Sequence, residues 1–245
     1  TAMKHENNED IWVITHKWRT FKIVGSDTTF YPSDTILSYL VTEQGINPNP
    51  VISKVGRKCG GSWLNTVGYL KGAPSGDRLA MGVFYSDYYQ LFDFSAATGQ
   101  VTNAITFDGY KYAYGVEFSP NSRYLYLTAE DSLNFKKMNI YQFDLFAGDS
   151  NAIKNSGIKV GYIMNNSAIG RGALQVGPDQ KIYVARGDVD SIAVINNPNL
   201  RGTQCDLDRK GLELGTNQYC QYGLPTFIQT YFAPPSSVIF AVPVL

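Results

Sequence analysis

The side chains able to do acid–base, metal or thiol chemistry near neutral pH are few in this chain: His5, His16, Cys59, Cys205 and Cys220. The two histidines flank a strand-like run, Ile11 to His16, and neither has a third partner at the spacing of a zinc site. They read as packing or rim histidines, and no metal or cofactor is expected. Asp93 and Asp144 stand at matching places in Phe92-Asp93-Phe94 and Phe143-Asp144-Leu145. Carboxylates so placed bond turn backbone N–H groups more readily than they do catalysis. There is no G-x-S-x-G elbow, no phosphate-binding loop and no Cys/His cluster, so no catalytic residue is assigned. Cys205 and Cys220 share a Gly-rich segment, and either a disulfide between them or two free thiols fits that spacing.

Aromatic side chains offer a different chemistry, stacking on sugars or anchoring a protein partner. Tyr85, Tyr88 and Tyr89 fall in a loop between strands, and Phe30 and Tyr31 in a long polar loop from Thr20 to Thr35, where ligand contacts concentrate. These five are the candidate ligand contacts. Capping of neighbouring strand ends is the competing role for them.

The elements that carry these residues repeat. Val116-Glu117-Phe118, a Ser-Pro-Asn-Ser turn and Tyr124-Leu125-Tyr126-Leu127-Thr128 read as a hairpin. The same layout recurs at Gly68 to Phe84 and at Gly172 to Arg186, with Pro74, Pro120 and Pro178 at equivalent turn positions. Each copy is followed by a second pair of strand signals. The prolines lie 46 and 58 residues apart, near the roughly 40–50-residue period of four-stranded propeller blades. The fold class is therefore all-β, a β-propeller with blades of the WD40/YVTN kind. Residues 1–56 form a diverged blade, further blades start near Val67, Ala113 and Gly170, and Gly223 to Phe232 adds one more strand. Residues 1–232 are the propeller and residues 233–245 a tail or linker. Four blades and a fragment make an awkward ring, so the reading is part of a larger ring of roughly seven blades, with missing blades or a partner chain covering the N-terminal edge.

Composition agrees. Aromatic residues make up 13% and charged residues 17% of the chain, which suits short β-strands better than helices. Formal net charge is zero with 21 basic and 21 acidic residues, so no electrostatic footprint for nucleic acid is present. No apolar run reaches transmembrane length. Partners are expected to be a protein or a surface glycan, recognised by shape and aromatic contact.

The runs MKHENNEDIWVITHKW, ILSYLVTEQGIN, YGVEFSPNSRYLYLTA, IYQFDL, GALQVGPDQKIYVAR, VINNPNLRGTQC and YGLPTFIQTYF resemble the N-terminal propeller region of large Bacteroidetes surface proteins exported by the type IX secretion system. Many of those are gliding-motility-associated or carry a type IX sorting domain. The resemblance covers residues 1–232 and departs at Phe21 to Asp34, at Gly72-Ala73-Pro74 and in the apolar tail. It implies an exported, cell-surface location and a non-enzymatic binding or scaffold module in adhesion, gliding or surface assembly. The alternative is a propeller enzyme of the lactonase or sugar-dehydrogenase type. The resemblance also imports an O-glycosylation rule, Asp followed by Ser or Thr and a small or aliphatic residue, which marks Thr28, Thr35, Ser132 and Ser191.

Overall fold

A computed structural model describes residues 1–166 and 171–231. The tail at 233–245 lies outside the described residues. Four antiparallel sheets follow one another along the chain. The first contains β1 (Ala2–Lys4), β2 (Ile11–His16), β4 (Asp27–Thr42) and β6 (Val51–Cys59) in that order. Two further strands, β3 (Arg19–Val24) and β5 (Gly45–Ile46), pair with the ends of β4. The second sheet is β7 (Leu70–Gly72), β8 (Arg78–Val83), β9 (Tyr88–Phe94) and β10 (Val101–Asp108). The third is β11 (Val116–Phe118), β12 (Tyr124–Asp131), β13 (Asn134–Asp144) and β14 (Ile158–Met164), with the single-turn helix α1 (Ser150–Asn155) between its last two strands. The fourth is β15 (Leu174–Val176), β16 (Ile182–Val184), β17 (Ser191–Ile195) and β18 (Leu207–Glu213).

The repeated proline explains the hairpins. The carbonyls of Ala73, Ser119 and Gly177 accept from the N–H groups of Gly76, Ser122 and Gln180 at 2.9, 2.8 and 3.0 Å, so each proline sits second in the turn, where its fixed φ is already correct. The fourth residue of each turn is left-handed, with φ of 83°, 60° and 66°. That geometry turns a three-residue inner strand directly into the next strand.

Each interface between successive sheets has its own core. Trp12, Ile14, Leu79 and Phe92 fill the first, Tyr89, Leu91, Leu125 and Phe143 the second, and Tyr126, Ile140, Leu174 and Val184 the third. Period-two alternation on β9 sends Phe92 and Phe94 towards the first sheet and Tyr89 and Leu91 towards the third. Phe143 and Leu145, the equivalents of Phe92 and Phe94, face the second sheet. Burial on both faces is why these strands are nearly continuous in apolar residues.

Three segments differ from their sequence reading. Thr20 to Thr35 is largely a hairpin, β3 against the first part of β4, held in register by Phe21 opposite Phe30. Its polar, threonine-rich wording conceals β-branched residues that pair well in a strand. Arg201 to Tyr222, the Gly-rich segment that holds Cys205 and Cys220 and to which the sequence assigns no strand, contains β18, the outer strand of the fourth sheet; outer strands face solvent and lack apolar alternation. Conversely, residues 223–231 form no strand: the segment is irregular and ends in a 3-10 turn, Gln229–Tyr231. It supplies contacts instead, with the Tyr69 hydroxyl bonded to both backbone groups of Leu224.

Phe143 is fully buried and packs edge-on against Phe107 at 4.7 Å between ring centroids. Phe143→Ala is expected to destabilise the protein by about 3–5 kcal/mol, read as a lowered denaturant midpoint in equilibrium unfolding.

Candidate functional site

The inner strands β7, β11 and β15 adjoin, and β1 lies beside β7. Their middle residues are Met3, Lys71, Glu117 and Gln175. Each of the last three lies three residues before its turn proline, a regularity that the repeat alignment contains and that a search for motifs does not reach. Lys71 Nζ donates to Glu117 Oε2 at 3.2 Å and to Gln175 Oε1 at 2.5 Å, and Gln229 Nε2 donates to Glu117 Oε1. Glu117 also accepts from the backbone N–H of Val176 at 3.0 Å. All four side chains are buried. This layer is a closed polar plug where the sheets converge, not an open site.

Above the plug, on the face carrying the β2–β4, β8–β9 and β12–β13 connections, lies a cavity of about 490 Å³. Its wall includes His16, Trp18, Asn65, Tyr69, Tyr114 and Thr226. His16 ends β2, and burial pulls its pKa below the ordinary 6.5 against the opposing pull of Asp34, so the ring is neutral at pH 7. The Cys59 sulfur lies 3.5 Å from His16 Nδ1. Burial pushes the Cys59 thiol up to about 11, so it faces the imidazole uncharged. Burial likewise raises Tyr114 to about 12, with Tyr69 adding to the shift and Arg171 opposing it, which keeps that phenol protonated. A neutral imidazole and a protonated phenol thus line the same cavity.

The sequence candidates scatter. His5 is at the opposite end of the first sheet, stacked on Trp12 at 5.6 Å. Tyr88 and Tyr89 are not loop aromatics but the buried first residues of β9. The Tyr89 hydroxyl donates to the Thr128 carbonyl at 2.5 Å and accepts from the Tyr114 N–H at 2.7 Å, tying the second sheet to the third. Tyr85 is 56% exposed at a left-handed turn position, and Phe30 and Tyr31 are exposed on the β3–β4 hairpin. Asp93 bonds Asn103 and Asp144 bonds Arg123 and the Phe146 N–H, both structural. Of the glycosylation candidates, Thr28 and Ser132 are exposed, whereas Thr35 is 8% and Ser191 1% exposed. Ser191 accepts from Arg186 Nη1 at 2.6 Å. Thr35 and Ser191 are both buried strand residues, without the exposure that a surface glycan needs.

Cys205 and Cys220 are not bridged: all three cysteines are free and buried, Cys205 in the core between the third and fourth sheets and Cys220 under an aromatic cluster at the face. Their loop contains β18, which carries them to different cores. Among the described residues no group of three or more His, Cys, Asp and Glu side chains could hold a metal ion, and no helix is long and apolar enough to cross a membrane.

Four-stranded sheets stacked around a polar centre make this chain a β-propeller. Its fold is similar to a proposed 6-phosphogluconolactonase from Bacteroides fragilis, with a TM-score of 0.50 at 10% identity over 87% of this chain and 70% of that one. A proposed 6-phosphogluconolactonase from Bacteroides uniformis has a TM-score of 0.45 at 16% identity over 87% of this chain, and this chain spans 55% of its length. The periplasmic gluconolactonase PpgL of Pseudomonas aeruginosa has a TM-score of 0.47 at 13% identity, with 91% of this chain and 53% of that one covered. No family model and no curated protein matches. These three propellers are named for lactone hydrolysis, the activity of the alternative reading, and not for the non-enzymatic binding or scaffold role that was expected; at 10–16% identity the likeness shows the fold.

Two predictions follow from the buried groups. Glu117→Ala leaves the Lys71 ammonium buried beside one amide and is expected to cost about 3–5 kcal/mol in equilibrium unfolding, whereas the double Lys71→Met, Glu117→Gln change costs less than the sum of the two single changes. Titration with a thiol reagent in the absence of reductant should find three thiols per chain in denaturant, and only slow reaction in the native protein, because protonated buried thiols are poor nucleophiles.

Proposed function

We propose that this propeller is a lactonase that opens a sugar lactone in the His16 cavity. The observation that carries the reading is the neutral imidazole of His16 on the wall of a cavity of about 490 Å³, a volume suited to one hexose-sized ligand, with the Tyr114 phenol on the same wall. In this reading His16 takes a proton from a water molecule as its oxygen attacks the lactone carbonyl. The ring C–O bond breaks, and the departing alkoxide takes the phenolic proton of Tyr114. The proton held by His16 then restores the phenol or passes to solvent. Trp18 and Tyr69 supply flat apolar surface against the sugar ring. An exported location belongs to the same proposal and is supported by the resemblance of the repeats to exported surface proteins.

Acid release from glucono-δ-lactone and from its 6-phosphate, measured above the spontaneous rate, tests the reading. His16→Gln is expected to lower kcat/KM by about 10²–10⁴-fold, the usual contribution of a general base. Only the unprotonated ring works as a base, and its pKa in the fold is depressed below 6.5. Activity should therefore fall with acidification through a midpoint below 6.5 and stay level above it. Stability has the same sign: the unfolded state binds the extra proton, so His16 weakens the fold as pH falls from 6.5 through its folded pKa. Turnover no faster than the spontaneous reaction on both lactones would overturn the assignment.

A further inference from the structure

Beside the His16 cavity, on the same face, stands a cation with no ion-pair partner among the described residues. Arg171 has neither an ion pair nor a side-chain hydrogen bond among the described residues, and its Nη1 is fully buried. The guanidinium lies flat on Phe84, 3.9 Å from the ring centroid, with the rings of Tyr222 and Tyr114 at 5.7 and 5.8 Å. An arginine carries five N–H donors in a fixed fork, and burying one unsatisfied is costly. Stacking on Phe84 offsets part of the charge desolvation and none of the missing acceptors.

The charged or titratable groups that act on Arg171 are Tyr114, Tyr222 and Tyr112, and no carboxylate is among them. Asp87 and Glu130 act on Tyr112, and Asp87 Oδ1 accepts from the Tyr112 backbone N–H at 3.0 Å. The hydroxyls of Tyr112, Tyr114 and Tyr222 have no hydrogen-bond partner among the described residues. One planar cation and three phenols therefore lie close together, and among the described residues no carboxylate pairs with the guanidinium.

The main chain holds this arrangement in place. The Gly172 carbonyl accepts from Thr128 Oγ1 at 3.0 Å, with the Arg171 carbonyl 3.4 Å from the same hydroxyl. Gly172 is left-handed at φ 60°, and a Cβ there would press against the Thr128 methyl at 3.2 Å. Arg171 thus leaves a fixed backbone position, as a preorganised binding group should.

We propose that Arg171, with the hydroxyls of Tyr112, Tyr114 and Tyr222, is the receptor for an oxyanion, a carboxylate or phosphate, on the sugar that occupies the neighbouring cavity. Tyr114 belongs to both the cavity and the receptor, so one ligand spans them with its ring beside His16 and its anionic end on Arg171. A planar guanidinium binds such a group through two parallel N–H···O contacts, which sets orientation as well as affinity. The proposal deepens the lactonase reading by naming an anionic substrate, and binding without turnover separates the two.

Titration calorimetry with glucose, gluconate and glucose 6-phosphate on the whole protein provides the test. The charged ligands are expected to bind at least about tenfold tighter than glucose and to weaken with added salt, as an ion contact must. Preference for glucose 6-phosphate identifies phosphate as the natural group, and preference for gluconate identifies carboxylate. Arg171→Met should weaken the charged ligand by about tenfold or more while leaving glucose unchanged, and Arg171→Lys should recover part of the loss. If Arg171→Met does not fold, Tyr222→Phe decides: a loss of severalfold for the charged ligand alone supports the receptor, and unchanged affinity overturns it. Equal binding of charged and neutral sugars, or an Arg171→Met protein that binds the anion like the parent, also overturns it. Anion binding that depends on Arg171 in a protein without lactone turnover would sink the lactonase reading and leave the receptor standing.

Discussion

The close approach of the inner strands is the constraint on which the rest of the structure depends. A Cβ on Gly115 would stand 2.0 Å from the Gly172 carbonyl oxygen, and one on Gly72 would stand 2.6 Å from the Met3 side chain. Three-residue strands meeting this closely leave room for one layer of side chains at the centre. Lys71, Glu117, Gln175 and Gln229 fill that layer, and a buried charge there is tolerable only because each member bonds another. The plug closes the centre, so the usable space is displaced to the face above it, where the strand-connecting loops bring His16, Tyr114 and Arg171 within one neighbourhood.

Much of the fold was legible because propeller geometry writes itself into the sequence at a fixed period. The proline turns announce the inner hairpins, and Phe92, Phe94, Phe143 and Leu145 reveal by alternation which strand faces are buried. The outer strands were harder to find. A strand such as β18, with one edge unpaired and most of its residues in solvent, needs no apolar pattern. The β3–β4 hairpin was hidden for a related reason: projecting beyond the sheet, it has no core to face, and its register rests on cross-strand pairs such as Phe21 with Phe30.

The site was less legible than the fold. His16 stood out in the sequence only as a histidine without metal partners, since the cavity beside it is built from segments scattered along the chain from Thr1 to Thr226. Arg171 gave no signal because its distinguishing feature, a buried guanidinium nitrogen without a hydrogen-bond partner among the described residues, is a property of space rather than of wording. The aromatic candidates were half informative: Tyr88 and Tyr89 turned inward to become core, while the tyrosines that approach Arg171 were Tyr112, Tyr114 and Tyr222. Pairing of Cys205 with Cys220 failed for a topological reason, because β18 carries the two thiols apart before the chain returns.

The three unbridged thiols have a consequence for where such a chain can work. A disulfide makes folding answer to the redox potential of its surroundings, since reduction withdraws the cross-link and whatever it contributed. This protein has no such couple, and its buried thiols contribute only as small apolar groups. Packing, hydrogen bonds and ion pairs set its stability, so the same native state is available in reducing and in oxidising surroundings.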